Sequence, residues 1–323
     1  MSRVYEIARR PCSRKGVEHT GHRLPWGMRL ISVLLVIGTV SAPAAGQSVH
    51  VRWHADPPRQ GSFAYVVVEI EDSPAPFGVR GTLDSLPLAF VRAPGERFAA
   101  LAGVPLGAGD SVTVRLTFEH ARGRTRAVER RLPVARARFP TEQLSVDPRF
   151  TRPPDSALQV RIAREAAAGR RVTAGALATP RLWWTDFVPP RESRVTSVFG
   201  IGRVFNGQIR SRHLGTDYDG VVGAPVRAAN RGVVALVGDF YYAGRIVSLN
   251  HGAGLITSYL HLSEILVAEG DTVSPGQFIG RVGASGRVTG PHLHWAVRVG
   301  TSAVDGASLL ALPPLERLFD VGR

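Results

Sequence analysis

Along most of this chain apolar residues recur at every second position, not every third or fourth. Val112, Val114, Leu116 and Phe118 alternate with Ser111, Thr113, Arg115 and Thr117, the pattern of a strand with one buried and one wet face. Phe63 to Ile70 and Leu86 to Val91 read as further strands, and Pro and Gly turns separate such runs from about Ser48 to Pro140 with no helical period. The pattern predicts an immunoglobulin-like β-sandwich over 48–140. It lacks the cysteines and the tryptophan pattern of antibody domains, so packing alone must hold it.

The period changes once. After a proline-marked stretch from Arg138 to Pro154, Leu158 and Ile162 stand four apart, Ser156 and Gln159 fit a capping box, and Gly169 offers a stop. A short helix over Ser156 to Ala168 is expected, inside a linker spanning 141–186. Leu182-Trp183-Trp184, Phe187 and Pro189-Pro190 lead into a second region over 187–315, where short strands return and glycine is frequent. The candidates are Gly232-Val233-Val234, Arg245 to Asn250, Leu255 to Leu260, Gln277 to Val282 and His292 to Val299. The fold class expected is therefore mainly β, with an N-terminal sandwich, a short helical linker and a small antiparallel β domain.

Length supports this division, because 323 residues suit two modest domains better than one core. Leu30 to Val40 is an apolar run behind Met28 and Arg29, and Ser41-Ala42-Pro43-Ala44-Ala45-Gly46 follows it. The run is too short to span a bilayer and the small residues suit a signal peptidase, so 1–46 reads as an N-terminal extension and signal peptide. Both Met1 and Met28 stay open as the start. The only cysteine, Cys12, lies upstream of the run. The processed chain would have no disulfide, no lipid-modified cysteine and no stable membrane anchor, and would act in the periplasm or cell envelope, or be secreted. The formal net charge is +14. Without residues 1–46 it becomes 33 Lys or Arg against 24 Asp or Glu, or +9, which suits an anionic cell wall, nucleic acid or a membrane surface. Nucleic acid is excluded as a partner by the export signal and by the lack of interleaved aromatic residues.

Four of the ten histidines fall into three blocks, R-H-L-G-T-D-Y-D, S-Y-L-H-L-S and G-P-H-L-H-W. Zinc is bound by His nitrogen and carboxylate oxygen at about 2 Å, and catalytic sites keep three protein ligands with an open position. His213 and Asp217 would lie about 13 Å apart in a straight strand, so convergence requires a bend, which Gly215 can supply. His292 and His294 stand two apart before Trp295-Ala296-Val297, so both imidazoles share one face of a strand. His261 ends another strand after Thr257-Ser258-Tyr259-Leu260.

With Ser197-Val198-Phe199-Gly200, Gly223 to Ala228, Asn250 to Gly254 and Gly270 to Val273 in the same order, these blocks resemble the lysostaphin and LytM type of zinc metallopeptidase over roughly residues 187–312. The resemblance implies Zn2+ as cofactor, with His213, Asp217 and His294 as ligands and His261 and His292 as catalytic non-ligands. It also implies an exported endopeptidase that hydrolyses peptide bonds in peptidoglycan stem peptides or cross-bridges, with a metal-bound water as nucleophile and the two histidines as acid and base. Val304-Asp305-Gly306 departs from the family, many members of which have proline after the aspartate. The alternative function is a catalytically silent binding activator of other wall hydrolases; such relatives usually lack ligands, and here every position is filled. A biotinyl- or lipoyl-type carrier would need a lysine, and Lys15 is the only one. Sequence leaves open which histidine is the base, which bond is cut, the oligomeric state, and whether the N-terminal region targets, occludes or binds a partner. His251 reads as a turn residue, Asp219 as either a residue orienting a ligand or a solvated one, Trp183, Trp184 and Trp295 as inter-domain packing residues or, alternatively, platforms for sugar rings, and Asn206-Gly207 as a turn beside the groove.

Overall fold

The computed structural model describes residues 48–71 and 76–319. The signal-peptide reading of 1–46, with Cys12 and Met28, lies outside them. The described chain is mainly β. Its first eight strands are β1 (Val49–Trp53), β2 (Phe63–Ile70), β3 (Gly78–Leu83), β4 (Leu86–Leu88), β5 (Val91–Ala93), β6 (Arg97–Gly103), β7 (Ser111–Glu119) and β8 (Thr125–Pro133). They form two four-stranded antiparallel sheets, ordered β1-β2-β6-β5 and β4-β3-β7-β8. One core of Val66, Val68, Leu83, Ala100, Val114, Leu116 and Phe118, among others, lies between the sheets. The expected strand over Leu86 to Val91 is instead two short strands on different sheets, separated at Ala89-Phe90.

β2 is apolar at nearly every position because both of its faces are covered, which removes the alternation that a half-wet strand shows. Ala64, Val66 and Val68 point into the sandwich core. Tyr65 packs with Leu315, and its hydroxyl donates to the Pro313 carbonyl at 3.0 Å. The sandwich and the C-terminal region thus share buried contacts within one compact unit covering Gln47–Arg323.

Beyond the sandwich come β9 (Thr141–Leu144), the helix α1 (Ser156–Ala178), β10 (Val195–Ser197), β11 (Gly202–Phe205), β12 (Ile209–Arg212), β13 (Thr216–Asp219) and β14 (Pro225–Arg227). β15 (Gly232–Phe240), β16 (Gly244–Gly252), β17 (Leu255–Ile265), β18 (Thr272–Val273), β19 (Phe278–Val282), β20 (His292–Val299), β21 (Ser302–Val304) and the short helix α2 (Gly306–Leu310) follow. The large sheet runs β10-β13-β20-β17-β16-β15-β18. Alternation along β20 assigns its two faces: Leu293, Trp295 and Val297 enter the main core, while His292, His294, Ala296 and Arg298 face the other way. β9 pairs in parallel with β11, so the stretch read as linker is a strand of a small sheet beside the histidine face.

α1 has 23 residues and runs through Gly169 to Ala178, longer than the helix expected from sequence. Its N-cap is Asp155, whose carboxylate accepts from the Leu158 amide at 2.8 Å, one residue earlier than the cap read from sequence. Gly169 does not end the helix because Val172 and Ala176 continue its buried stripe, packing on Ile256 and Leu236. Helix burial outweighs the ~1 kcal/mol that an interior glycine costs. None of the described helices is long and apolar enough to cross a membrane.

Asn206, at φ 51°, does more than turn the chain between β11 and β12. Its Oδ1 accepts from the Val146 amide at 2.9 Å, and its Nδ2 donates to the Val146 carbonyl at 2.9 Å and to Thr151 Oγ1 at 3.2 Å. Asn206→Gly keeps the turn conformation and deletes these bonds. It is expected to lower unfolding free energy by about 1–3 kcal/mol in a urea melt; an unchanged midpoint would show that the clamp contributes nothing.

Candidate metal centre and active site

Strand register builds the site. β13 pairs antiparallel with β20 so that Asp217 stands opposite His294 and Asp219 opposite His292. His213 lies in the turn between β12 and β13, where its amide donates to the Ile201 carbonyl and its own carbonyl accepts from Gly200, both at 2.8 Å. Gly215 has no positive φ, so its role is clearance. A Cβ there would sit 2.6 Å from both His294 Nε2 and the Trp295 carbonyl.

Three donor atoms converge. His213 Nε2 lies 3.0 Å from Asp217 Oδ1 and 3.0 Å from His294 Nδ1, and His294 Nδ1 lies 2.7 Å from Asp217 Oδ1. Ligands held about 2 Å from one tetrahedral ion stand roughly 3.3 Å apart, so a small outward movement would fit these atoms around a metal. His213 Nδ1 faces the Val198 carbonyl at 2.8 Å; a carbonyl only accepts, so Nδ1 carries the proton and Nε2 presents its lone pair to the cluster. Lone pairs meeting with few protons between them are what a cation would satisfy, and His213, Asp217 and His294 form the metal-capable group found among the described residues.

Asp217 is tied on its other side. Arg203 Nη2 donates to its Oδ2 at 2.6 Å and to Ser197 Oγ at 2.9 Å, and Arg203 Nε donates to Glu142 Oε1 at 2.7 Å. Burial alone would push the Asp217 carboxyl up, but the imidazoles of His213 and His294 beside its Oδ1 outweigh it and hold the group well below the usual carboxylate range.

His261 and His292 flank this cluster without joining it. A bulge in β17 opposite β16 shifts the pairing near His261 and puts that residue at φ 64°, which re-aims its ring toward His292 and His294, with centroids 5.0 and 5.8 Å away. Its Nδ1 donates to the Ser285 carbonyl at 2.8 Å, leaving Nε2 as an acceptor. Burial, reinforced by the charges of His294 and His292, pushes the His261 pKa down to about 3, so the ring is neutral near pH 7. His292 Nδ1 donates to the Gly290 carbonyl at 2.9 Å, and its Nε2 lies 3.7 Å from Asp217 Oδ1.

The five residues singled out in the sequence therefore lie together, three as the donor cluster and two beside it. Asp219 does not orient a ligand; it points outward, with Oδ2 3.7 Å from Arg194. His251, read as a turn residue, is a fully buried histidine of β16: its two nitrogens meet the Arg231 carbonyl and Thr257 Oγ1 at 2.7 and 2.8 Å, and burial lowers its pKa to about 4. Trp183 and Trp295 are core residues, whereas Trp184 is exposed beneath the Arg181 guanidinium. Arg203, Glu142 and Ser285 carry no sequence signal, since each acts only through a partner far away in the chain.

Residues 211–306 match the family described as Peptidase family M23. The catalytic domain of lysostaphin from Staphylococcus simulans is 31% identical, with 37% of this chain and 93% of that domain covered at a TM-score of 0.34. This chain belongs to peptidase family M23. A solved putative M23 peptidase from Pseudomonas aeruginosa shares 28% identity at a TM-score of 0.59, covering 80% of this chain and 96% of that one, so the M23 likeness extends well beyond the matched stretch. The Vibrio cholerae peptidoglycan DD-endopeptidase ShyA is 49% identical over 87 residues, 27% of this chain and 20% of the relative. The Neisseria meningitidis DD-carboxypeptidase/endopeptidase Mpg is 43% identical over 104 residues, 32% of this chain and 24% of that protein. The matched region thus spans about a fifth to a quarter of these curated M23 relatives.

Outer partners that orient ligating groups typically govern metal affinity by 10- to 100-fold. Arg203→Met should weaken metal binding by about that factor, measured by competition with a chromophoric chelator, with circular dichroism unchanged. Unaltered affinity would show that Arg203 only packs.

Proposed function

We propose that this chain is an exported, zinc-dependent endopeptidase that hydrolyses peptide bonds in the stem peptides or cross-bridges of bacterial peptidoglycan. The convergence of His213 Nε2, Asp217 Oδ1 and His294 Nδ1 carries the reading. The names of the Vibrio and Neisseria relatives support the substrate class. These three residues would hold the metal. When bound, zinc supplies Lewis-acid polarisation and an activated water.

The remaining chemistry belongs to side chains of the chain itself. His261 and His292 both have Nδ1 tied to a backbone carbonyl, so each offers Nε2 to the reacting centre. A neutral His261 can take the proton from the nucleophile, and a protonated partner can stabilise charge on the carbonyl oxygen or return a proton to the leaving amine. Arg203 keeps Asp217 Oδ2 occupied, which leaves Oδ1 for the metal. Nothing at the site favours the silent activator.

Two depressions adjoin the cluster, a trough of about 500 Å³ that includes His294 and a pocket of about 240 Å³ that includes Asp217, His261 and His292. An extended peptide crossing from one to the other would place its middle over the donors. We also assign the N-terminal sandwich over 48–140 to the immunoglobulin-like class, supported by its two strand orders, which correspond to A-B-E-D and C′-C-F-G. The catalytic region would span 187–315.

Purified protein should clear peptidoglycan in a zymogram, and a chelator should abolish clearing until zinc is restored. His261→Ala and His292→Ala are expected to retain stoichiometric zinc while activity falls by roughly 10²–10⁴-fold. Loss of zinc in either variant would overturn the division between ligands and proton-handling groups.

A further inference from the structure

The face of the large sheet that carries His294 continues away from the metal cluster as a trough. β17 and β20 supply its floor, Gly169, Arg170 and Thr173 of α1 one wall, and Leu214 another part of its lining. Period two along β20 places Ala296 and Arg298 on the face of His294, with Arg298 roughly 13 Å along the strand from it. That span matches about four residues of extended peptide.

The trough has an uncompensated charge. No Asp or Glu lines it, while Arg170 and Arg298 both do. Among the described residues, Arg298 makes one hydrogen bond, from Nη1 to the Thr301 carbonyl at 3.2 Å, and no carboxylate meets it. The guanidinium's other donors meet no acceptor among those residues and stay open to solvent along the half-buried trough, and burial lowers the stability of its charged form. Partly buried arginines are ordinarily paired, because an unpaired cation keeps its desolvation cost. An anion arriving with the substrate would offset that cost and use the planar fork of donors.

We propose that Arg298, assisted by Arg170 from the wall of α1, binds a carboxylate of the peptide about four residues from the bond placed at the metal cluster. The inference rests on the proposed function and deepens it: the preferred substrate is an anionic peptide, and α1 forms part of the specificity pocket. The carboxylate can be the terminus of the peptide or a side chain within it.

The test compares the full chain with Arg298→Met and Arg298→Lys on synthetic cross-linked stem peptides in which each carboxylate in turn is free or amidated. The wild type should favour the peptide with the relevant free acid by roughly tenfold in kcat/KM, as one charge-assisted hydrogen bond predicts. Arg298→Met should erase the preference by losing rate only on the free acid, and Arg298→Lys should restore part of it. The position whose amidation matters identifies terminal or side-chain recognition. A wild type indifferent to every amidation, or a Met variant equally slow on both forms, overturns the proposal. If no peptide is cleaved at all, the proposed function fails; calorimetric binding of the same peptides then tests Arg298 separately, a tenfold preference of the wild type for the acid supporting its role and equal affinities refuting it.

Discussion

Pairing of β13 with β20 is the constraint on which the site depends. Because side chains alternate faces with period two, the register that sets Asp217 against His294 also sets Asp219 against His292 and sends Trp295 into the core. A slip of one residue would exchange the faces, burying imidazoles in the core and exposing Trp295. The burial that stabilises the large sheet is thus the same interaction that aims the donors. Their convergence then depends on Gly215, where backbone and imidazole approach too closely for any side chain.

The second layer of control comes from a distant part of the sequence. Glu142 on β9 holds Arg203 on β11, and Arg203 holds Asp217. Parallel pairing of β9 with β11 and the Asn206 clamp on Val146 keep this chain of contacts in place. α1 continues from the same stretch and packs on the sheet through Val172 and Ala176. Residues between the sandwich and the large sheet therefore border the donor cluster on one side and the arginine-lined trough on another.

Much of the architecture was legible because strands with one buried face announce themselves by alternation, as β7 does, and the doubly covered β2 by a continuous apolar run. The shared face of His292 and His294 was legible too, since H-x-H on a strand has only one geometry, whereas the grouping of His213, Asp217 and His261 with them rested on the resemblance of the three blocks to a family. Three features were not. Gly169 looked like a stop because its local cost is visible in sequence, whereas the contacts of Val172 and Ala176 with Ile256 that outweigh it are not. The bulge that re-aims His261 depends on pairing with β16. Arg203 and Glu142, 61 positions apart, acquire meaning only when β9 and β11 are brought side by side.

The proposed function requires one metal ion among His213 Nε2, Asp217 Oδ1 and His294 Nδ1, with His261 and His292 outside its coordination. Anomalous diffraction at the zinc edge from crystals of the zinc-loaded protein tests it most directly. A single strong peak is expected about 2.0–2.2 Å from each of those three atoms, with no bond to His261 or His292. A peak coordinated by either of those histidines, or density away from Asp217, would contradict it.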